Sequence, residues 1–173
     1  NMQAKYTEAF RVLRESGQAT FTQLTQGLKT MFEAANDTKS LQALAQARQI
    51  DLGLHHADEV MVSGQSDALI ILLRNLVDNA LRYSPEGGRV VVSLDATARS
   101  LQVADDGPGI PPEFLPRLFE RFFRAPAHSV TSTGLGLSIV REIATAHAGT
   151  VVFVDPTSGN HGARALVCLP LPD

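Results

Sequence analysis

An α/β fold is what this 173-residue sequence predicts: a two-layer sandwich of a mixed β-sheet with helices on one face, plus an N-terminal helical segment. Three observations carry that expectation. From residue 40 onward, runs with helical apolar spacing alternate with short strand-like runs. The polar stretch Asp95 to Ser100 joins two strand patterns into a hairpin, which makes the sheet mixed rather than parallel. Hydrophobic residues form 44% of the chain, enough for one main core.

In chain order, residues 4–35 read as two helices broken at Gly17, with Phe10, Leu13, Phe21, Leu24, Leu28 and Phe32 as a sparse apolar stripe. Such a thin stripe does not make a self-sufficient core, and pairing between two copies is one way to cover it. The polar, turn-rich run Asn36 to Ser40 marks a boundary, giving a helical segment at 1–39 and a main domain at 40–173. A short helix through Ala47 follows, then strand candidates at Ile50 to Leu54 and Val60 to Val62. A strong helix is expected over Asp67 to Tyr83, ended by the turn Ser84-Pro-Glu-Gly-Gly88. The hairpin strands are Val90 to Leu94 and Leu101 to Ala104. A short helix near Pro112 to Leu118, a glycine-led helix to His147, and strands at Val151 to Val154 and Ala163 to Leu169 complete the chain.

The charge balance removes whole classes of function. A formal net charge of −3 offers no basic footprint for a phosphate backbone, so no nucleic acid is expected as partner. The longest apolar run, Ala68 to Leu73, is far short of a membrane span, and the piece reads as soluble. The single cysteine, Cys168, lies in an apolar strand-like run and reads as an inert buried thiol.

Three separated pieces carry chemistry. On the helix ending at Tyr83, residues advance about 100° each, so Asn75, Asn79 and Arg82 share one narrow stripe opposite Leu69, Leu72, Leu73, Leu76, Val77 and Ala80. Amide oxygens are hard ligands suited to magnesium, and an arginine beside them can neutralise phosphate charge. A solvated polar face gives the same spacing; the company of the later motifs favours the ligand-holding alternative. Asp105 ends a strand pattern and precedes Asp106-Gly107-Pro108-Gly109-Ile110. Its carboxylate can accept from an exocyclic amine of a purine, while glycine lets backbone approach the flat base. Asp-Gly is also an ordinary turn signal. Gly134-Leu135-Gly136-Leu137 opens a helix whose unpaired N–H groups suit phosphate, although a lone Gly-x-Gly is more often a plain helix entry. Between them, Leu118 to Arg124 is rich in phenylalanine and leads into Ala125 to Thr133, which reads as a mobile lid; the alternative is that Phe119, Phe122 and Phe123 are core residues. Together the pieces fit ATP with magnesium.

In this order the motifs resemble the catalytic and ATP-binding (HATPase_c) domain of bacterial two-component sensor histidine kinases, over roughly Leu41 to Pro170. Asn75 to Tyr83 looks like that family's N box, Asp105 to Gly109 its first glycine box, Phe119 to Phe123 its F box, and Gly134 to Leu137 its second glycine box. The detail, including Asn79-Ala-Leu-Arg-Tyr-Ser-Pro85 and Gly134-Leu-Gly-Leu-Ser-Ile-Val140, is most similar to membrane sensor kinases of the QseC and PmrB kind. The resemblance implies a Bergerat-type ATP-binding sandwich in which Asn79 binds Mg2+ with help from Asn75. It implies that Arg82 and Tyr83 lie along phosphate and base, that Asp105 reads adenine, and that Gly107, Gly109, Ile110, Phe119 and Thr133 to Leu137 line the nucleotide. It also implies a catalytic fragment of an ATP:protein-histidine phosphotransferase, cytoplasmic, from a membrane-anchored parent. Its direct partner is the phosphoacceptor dimerisation domain of the same kinase, and a response regulator follows indirectly.

The sequence departs from the family pattern in places. None of His55, His56, His128, His147 or His161 stands in a phosphoacceptor setting, so this piece is not expected to phosphorylate itself. Ser132 stands where glycine is common, and Asn160-His-Gly162-Ala is a weak last glycine box. Related ATPases place a glutamate at the first N-box position to activate water; here it is Asn75, which cannot take a proton, so hydrolysis is expected to be very slow. A non-catalytic nucleotide- or partner-binding module and a related ATPase stay open as alternatives.

Overall fold

The computed structural model describes residues 41–57, 66–95, 100–123, 134–154 and 162–169. The expected helices of residues 4–35, the strand at Val60 to Val62, the lid and Thr133 lie outside the described residues. Within them the elements run α1 (Leu41–Ala47), β1 (Asp51–Ala57), α2 (Ser66–Tyr83), β2 (Arg89–Asp95) and β3 (Ser100–Asp105). A 3-10 helix (Pro112–Arg117), α3 (Gly136–Ala146), β4 (Thr150–Val154) and β5 (Arg164–Cys168) follow.

The strands form one five-stranded sheet in the order β1-β2-β3-β5-β4. Only β1 and β2 run parallel; the β2–β3, β3–β5 and β4–β5 pairs are antiparallel. Register explains the two faces. Leu52, Val90, Asp105 and, one pair along, Leu54, Val92, Val103, Ala165 and Phe153 stand opposite one another across the sheet. Because side chains alternate along a strand, these positions share one face, and nearly all of it is apolar and buried against the helices. Asp105 is the exception, a carboxyl at the rim of the apolar face.

Helix α2 forms because Leu69, Leu72, Leu73, Leu76, Val77 and Ala80 recur at helical spacing, and all six are buried. It packs on β2 and β3 and against α3, which in turn covers β4. Its end is written into Ser84-Pro85, since the residue before a proline avoids the helical region. In α3, Ile139, Val140, Ile143 and Ala144 are buried, and the helix ends at Ala146 with His147 as its cap; the next residue, Ala148, takes a left-handed φ of 54°. Gly149 must lack a side chain, because a Cβ there would lie 2.6 Å from the Cys168 carbonyl oxygen.

One detail differs from expectation and one decides between two readings. The proline-rich helix takes the tighter 3-10 form, consistent with Pro116 having no N–H to give to an α-helical turn. Phe122 is not core: it is 63% exposed with a left-handed φ of 67°. Its N–H donates to the Gly134 carbonyl at 2.8 Å, so the ends of the intervening segment are pinned together by backbone.

Candidate functional site

Asp105 organises the site. It sits at the end of β3, and its Oδ1 accepts the Gly107 N–H at 2.8 Å and the Ala163 N–H at 3.3 Å. Among the described residues no donor meets Oδ2. Burial raises the carboxyl from its ordinary 3.8 to about 6; the two backbone donors oppose that rise, and neighbouring Asp106 adds slightly to it. The site therefore holds a carboxylate that gains from a donor, with one oxygen left to receive it.

Three backbones come together around this carboxyl because three residues lack a Cβ. A Cβ on Gly107 would lie 2.7 Å from the Tyr83 carbonyl oxygen, so this loop lies directly on the end of α2. Gly162, with a φ of 139°, passes so close that a Cβ would stand 2.0 Å from the Asp105 carbonyl oxygen, and Gly109, with a φ of 80°, faces Gly162 in turn. The weak last glycine box of the sequence is thus a structural partner of the first. Asp106 is exposed, and Ile110 is half-buried beyond the loop.

The two amides of α2 are not equivalent. Asn75 is only 6% exposed, and its Nδ2 donates to the Ile71 carbonyl one turn back at 2.8 Å. Asn79 is half-buried and makes no side-chain hydrogen bond among the described residues. Arg82 reaches back to Asp78, Nε to Oδ2 at 3.1 Å, on the exposed side of the helix. Tyr83 is half-buried at the helix end. Helical periodicity put these residues on one stripe; it does not distinguish a buried position on that stripe from an open one.

Gly134 adopts a φ of 73°, and a Cβ on it would lie 2.6 Å from the Phe122 backbone. Leu135 is buried, and no side chain caps the N-terminus of α3, while Ser138 turns its hydroxyl to the Leu135 carbonyl at 2.8 Å. Gly136 and Leu137 are half-buried at that same helix start, and α3 packs directly on α2. Phe119 stacks on Phe153 with ring centres 5.8 Å apart, with the Arg141 guanidinium 5.7 Å from its ring. Its ring belongs to the packing at the rim of the core. The described residues contain no cluster of three histidine, cysteine or acidic side chains able to hold a metal alone.

Sequence reasoning missed Arg48, which donates to carbonyls at the end of α2, and Ala163, whose N–H holds Asp105. Nothing in local spacing marks Arg48. Ala163 follows Gly162 just ahead of β5, and only the β3–β5 pairing brings it to Asp105.

A family profile described as "Histidine kinase-, DNA gyrase B-, and HSP90-like ATPase" matches residues 64–173. The chain belongs to this family. Sensor protein QseC of Salmonella typhi is 51% identical over 120 residues, which cover 69% of this chain and 26% of that protein. Among solved structures, the mycobacterial sensor histidine kinase MprB is 28% identical with a TM-score of 0.69, covering 91% of this chain and all of the other. The cytoplasmic segment of histidine kinase QseC is 26% identical with a TM-score of 0.63, covering 99% of this chain and 96% of that one. The mixed sheet with helices is therefore the fold of histidine kinase catalytic domains. The chain spans about a quarter of the length of the curated relatives it matches.

Proposed function

We propose that this chain binds Mg-ATP at the Asp105 loop and supplies the γ-phosphoryl group to a histidine on a separate dimerisation domain in two-component signalling. The observation that carries the reading is the half-buried carboxyl of Asp105, held through Oδ1 by two backbone N–H groups and flanked by closely packed glycine backbone. Adenine suits this carboxyl: its exocyclic amine is a donor, and Oδ2 is an acceptor that no described residue engages. Nucleotide binding agrees with membership of the ATPase family.

The residues also fit the rest of the ligand. The uncapped start of α3 at Gly136 and Leu137 offers backbone N–H groups to phosphate. Arg82, one turn beyond Asn79, would leave Asp78 for phosphate oxygens, and Tyr83 would lie along the base. Asn79, with its amide unengaged among the described residues, would hold magnesium; Asn75, buried and bonded to Ile71, would support that stretch of helix. Bound magnesium supplies charge neutralisation across the phosphate oxygens. No acid or base is needed beyond this, since phosphoryl transfer depends mainly on alignment and charge stabilisation. With Asn75 where a water-activating glutamate would stand, transfer to water is slow.

Residues 40–173 would form the ATP-binding domain and 1–39 a separate helical segment able to pair two copies; burial of Leu41 and Ala45 in the main core supports a boundary near residue 40. The similarity to QseC supports a cytoplasmic position within a membrane-anchored parent that signals through a response regulator. No described helix is long and apolar enough to cross a membrane.

The deciding experiment mixes this chain with a separately made phosphoacceptor hairpin and ATP labelled on the γ-phosphate. Acid-labile label on the hairpin histidine is expected. Tight ATP binding without label transfer would make the chain a binding module, and rapid phosphate release by the chain alone would place it with the hydrolytic relatives.

A further inference from the structure

The end of α2, which carries Arg82 and Tyr83, is held by a residue from another element. The Arg48 guanidinium, just after α1, donates through one nitrogen to the carbonyls of Leu81 and Arg82 and through the other to Ser84 at 2.8 Å. The Arg48 carbonyl accepts the Gly87 N–H at 3.3 Å, so backbone and side chain grip the same turn. The Leu81 and Arg82 carbonyls belong to the last turn of α2 and that of Ser84 directly follows it, where no further turn supplies donors and where a cation is favoured. The remaining carbonyl of the turn, that of Tyr83, is the one lying against Gly107. Behind Arg48, Leu41 and Ala45 anchor α1, each 1% exposed.

We infer that Arg48 is a positioning residue of the nucleotide site, fixing the final turn of α2 so that Arg82 and Tyr83 stand in register with the Asp105–Gly109 loop. The inference rests on the nucleotide site proposed above. Without the guanidinium, three carbonyls lose their donors, the turn loosens toward water, and the backing of Gly107 shifts with it. The same contact ties the end of α1 to the end of α2. A lysine cannot replace it fully, because one ammonium lacks the planar fork that reaches several carbonyls at once.

The test compares Arg48→Ala and Arg48→Lys with Val167→Ala, a substitution in the core of β5, all in the full chain and well below their melting temperatures. Binding of a fluorescent ATP analogue with magnesium is measured by titration. Arg48→Ala is expected to raise Kd roughly ten-fold, on the scale that small misplacements produce; Arg48→Lys is expected to fall between it and wild type. Val167→Ala should bind like wild type even if it melts lower. Unchanged affinity in Arg48→Ala, or an equal loss in Val167→Ala, overturns the inference. Amide hydrogen exchange without nucleotide separates this failure from failure of the site itself. Faster exchange at Ser84 and Gly107 in Arg48→Ala supports the positioning role even if wild type binds no ATP, and unchanged exchange at both overturns it.

Discussion

Replacing Asp105 by asparagine is expected to stabilise the free chain at neutral pH while abolishing nucleotide binding. The carboxyl is raised from 3.8 to about 6 by burial, a difference worth about 3 kcal/mol against the ionised form in the folded state. An asparagine keeps an oxygen for the Gly107 and Ala163 N–H groups and carries no charge, so at pH 8 it should gain about 2 to 3 kcal/mol. The sign follows from the direction of the shift. With a folded pKa above the unfolded one, the wild-type carboxyl contributes fully below about pH 4, and that contribution is lost as pH rises through about 6. Urea unfolding of both proteins, followed by circular dichroism from pH 4 to 8, isolates the effect because other groups titrate alike in each. The stability difference should be near zero at pH 4, grow through pH 6 and level off above it. At the same time the new amide nitrogen meets adenine's amine donor to donor, so ATP binding should vanish. A difference that does not change with pH, or a wild type more stable at pH 8, would refute the reasoning that burial sets this carboxyl.

Wild-type affinity for ATP should fall as pH drops through about 6, since only the ionised Asp105 accepts well; a titration series that stays flat from pH 8 to 5 contradicts this. Gly162→Ala would place a Cβ 2.0 Å from the Asp105 carbonyl oxygen at a φ of 139°, and a loss above about 3 kcal/mol is expected in the same urea assay. Gly107→Ala, with its Cβ 2.7 Å from the Tyr83 oxygen, should push the loop off α2 and weaken ATP binding at least about ten-fold in a chain that still folds. Asn79→Ala should change stability by less than about 0.5 kcal/mol yet remove the dependence of ATP binding on magnesium, read by titration with and without a chelator.

Most of the fold is legible in the sequence because its elements announce themselves locally. The apolar spacing of α2 matches its observed buried face, and the hairpin of β2 and β3 is set by two short apolar runs around a polar connection. The strand order is not local. Paired residues of β3 and β5 lie 60 to 68 positions apart in the chain, and only that pairing brings Ala163 to the Asp105 carboxylate. Glycines could be read as points of freedom, but not as the particular contacts at Tyr83, Phe122 and Asp105 that demand them. The stripe of Asn75 and Asn79 was visible; the burial of Asn75 depends on neighbouring elements and was not. Composition leaves Phe122 open between core and hinge; it is exposed, with a left-handed backbone and an N–H bonded to Gly134. Arg48 had no signal, since its three carbonyl partners lie more than 30 residues away.

Titration of the isotope-labelled chain with Mg-ATP, watched by amide and side-chain NMR, tests the proposed cleft most directly. Shifts should concentrate at Gly107, Gly109, Ala163, the side-chain amide of Asn79 and the start of α3 at Gly136. Absence of shifts at saturating nucleotide, or shifts confined to surfaces remote from Asp105, would contradict a nucleotide site built on that carboxylate.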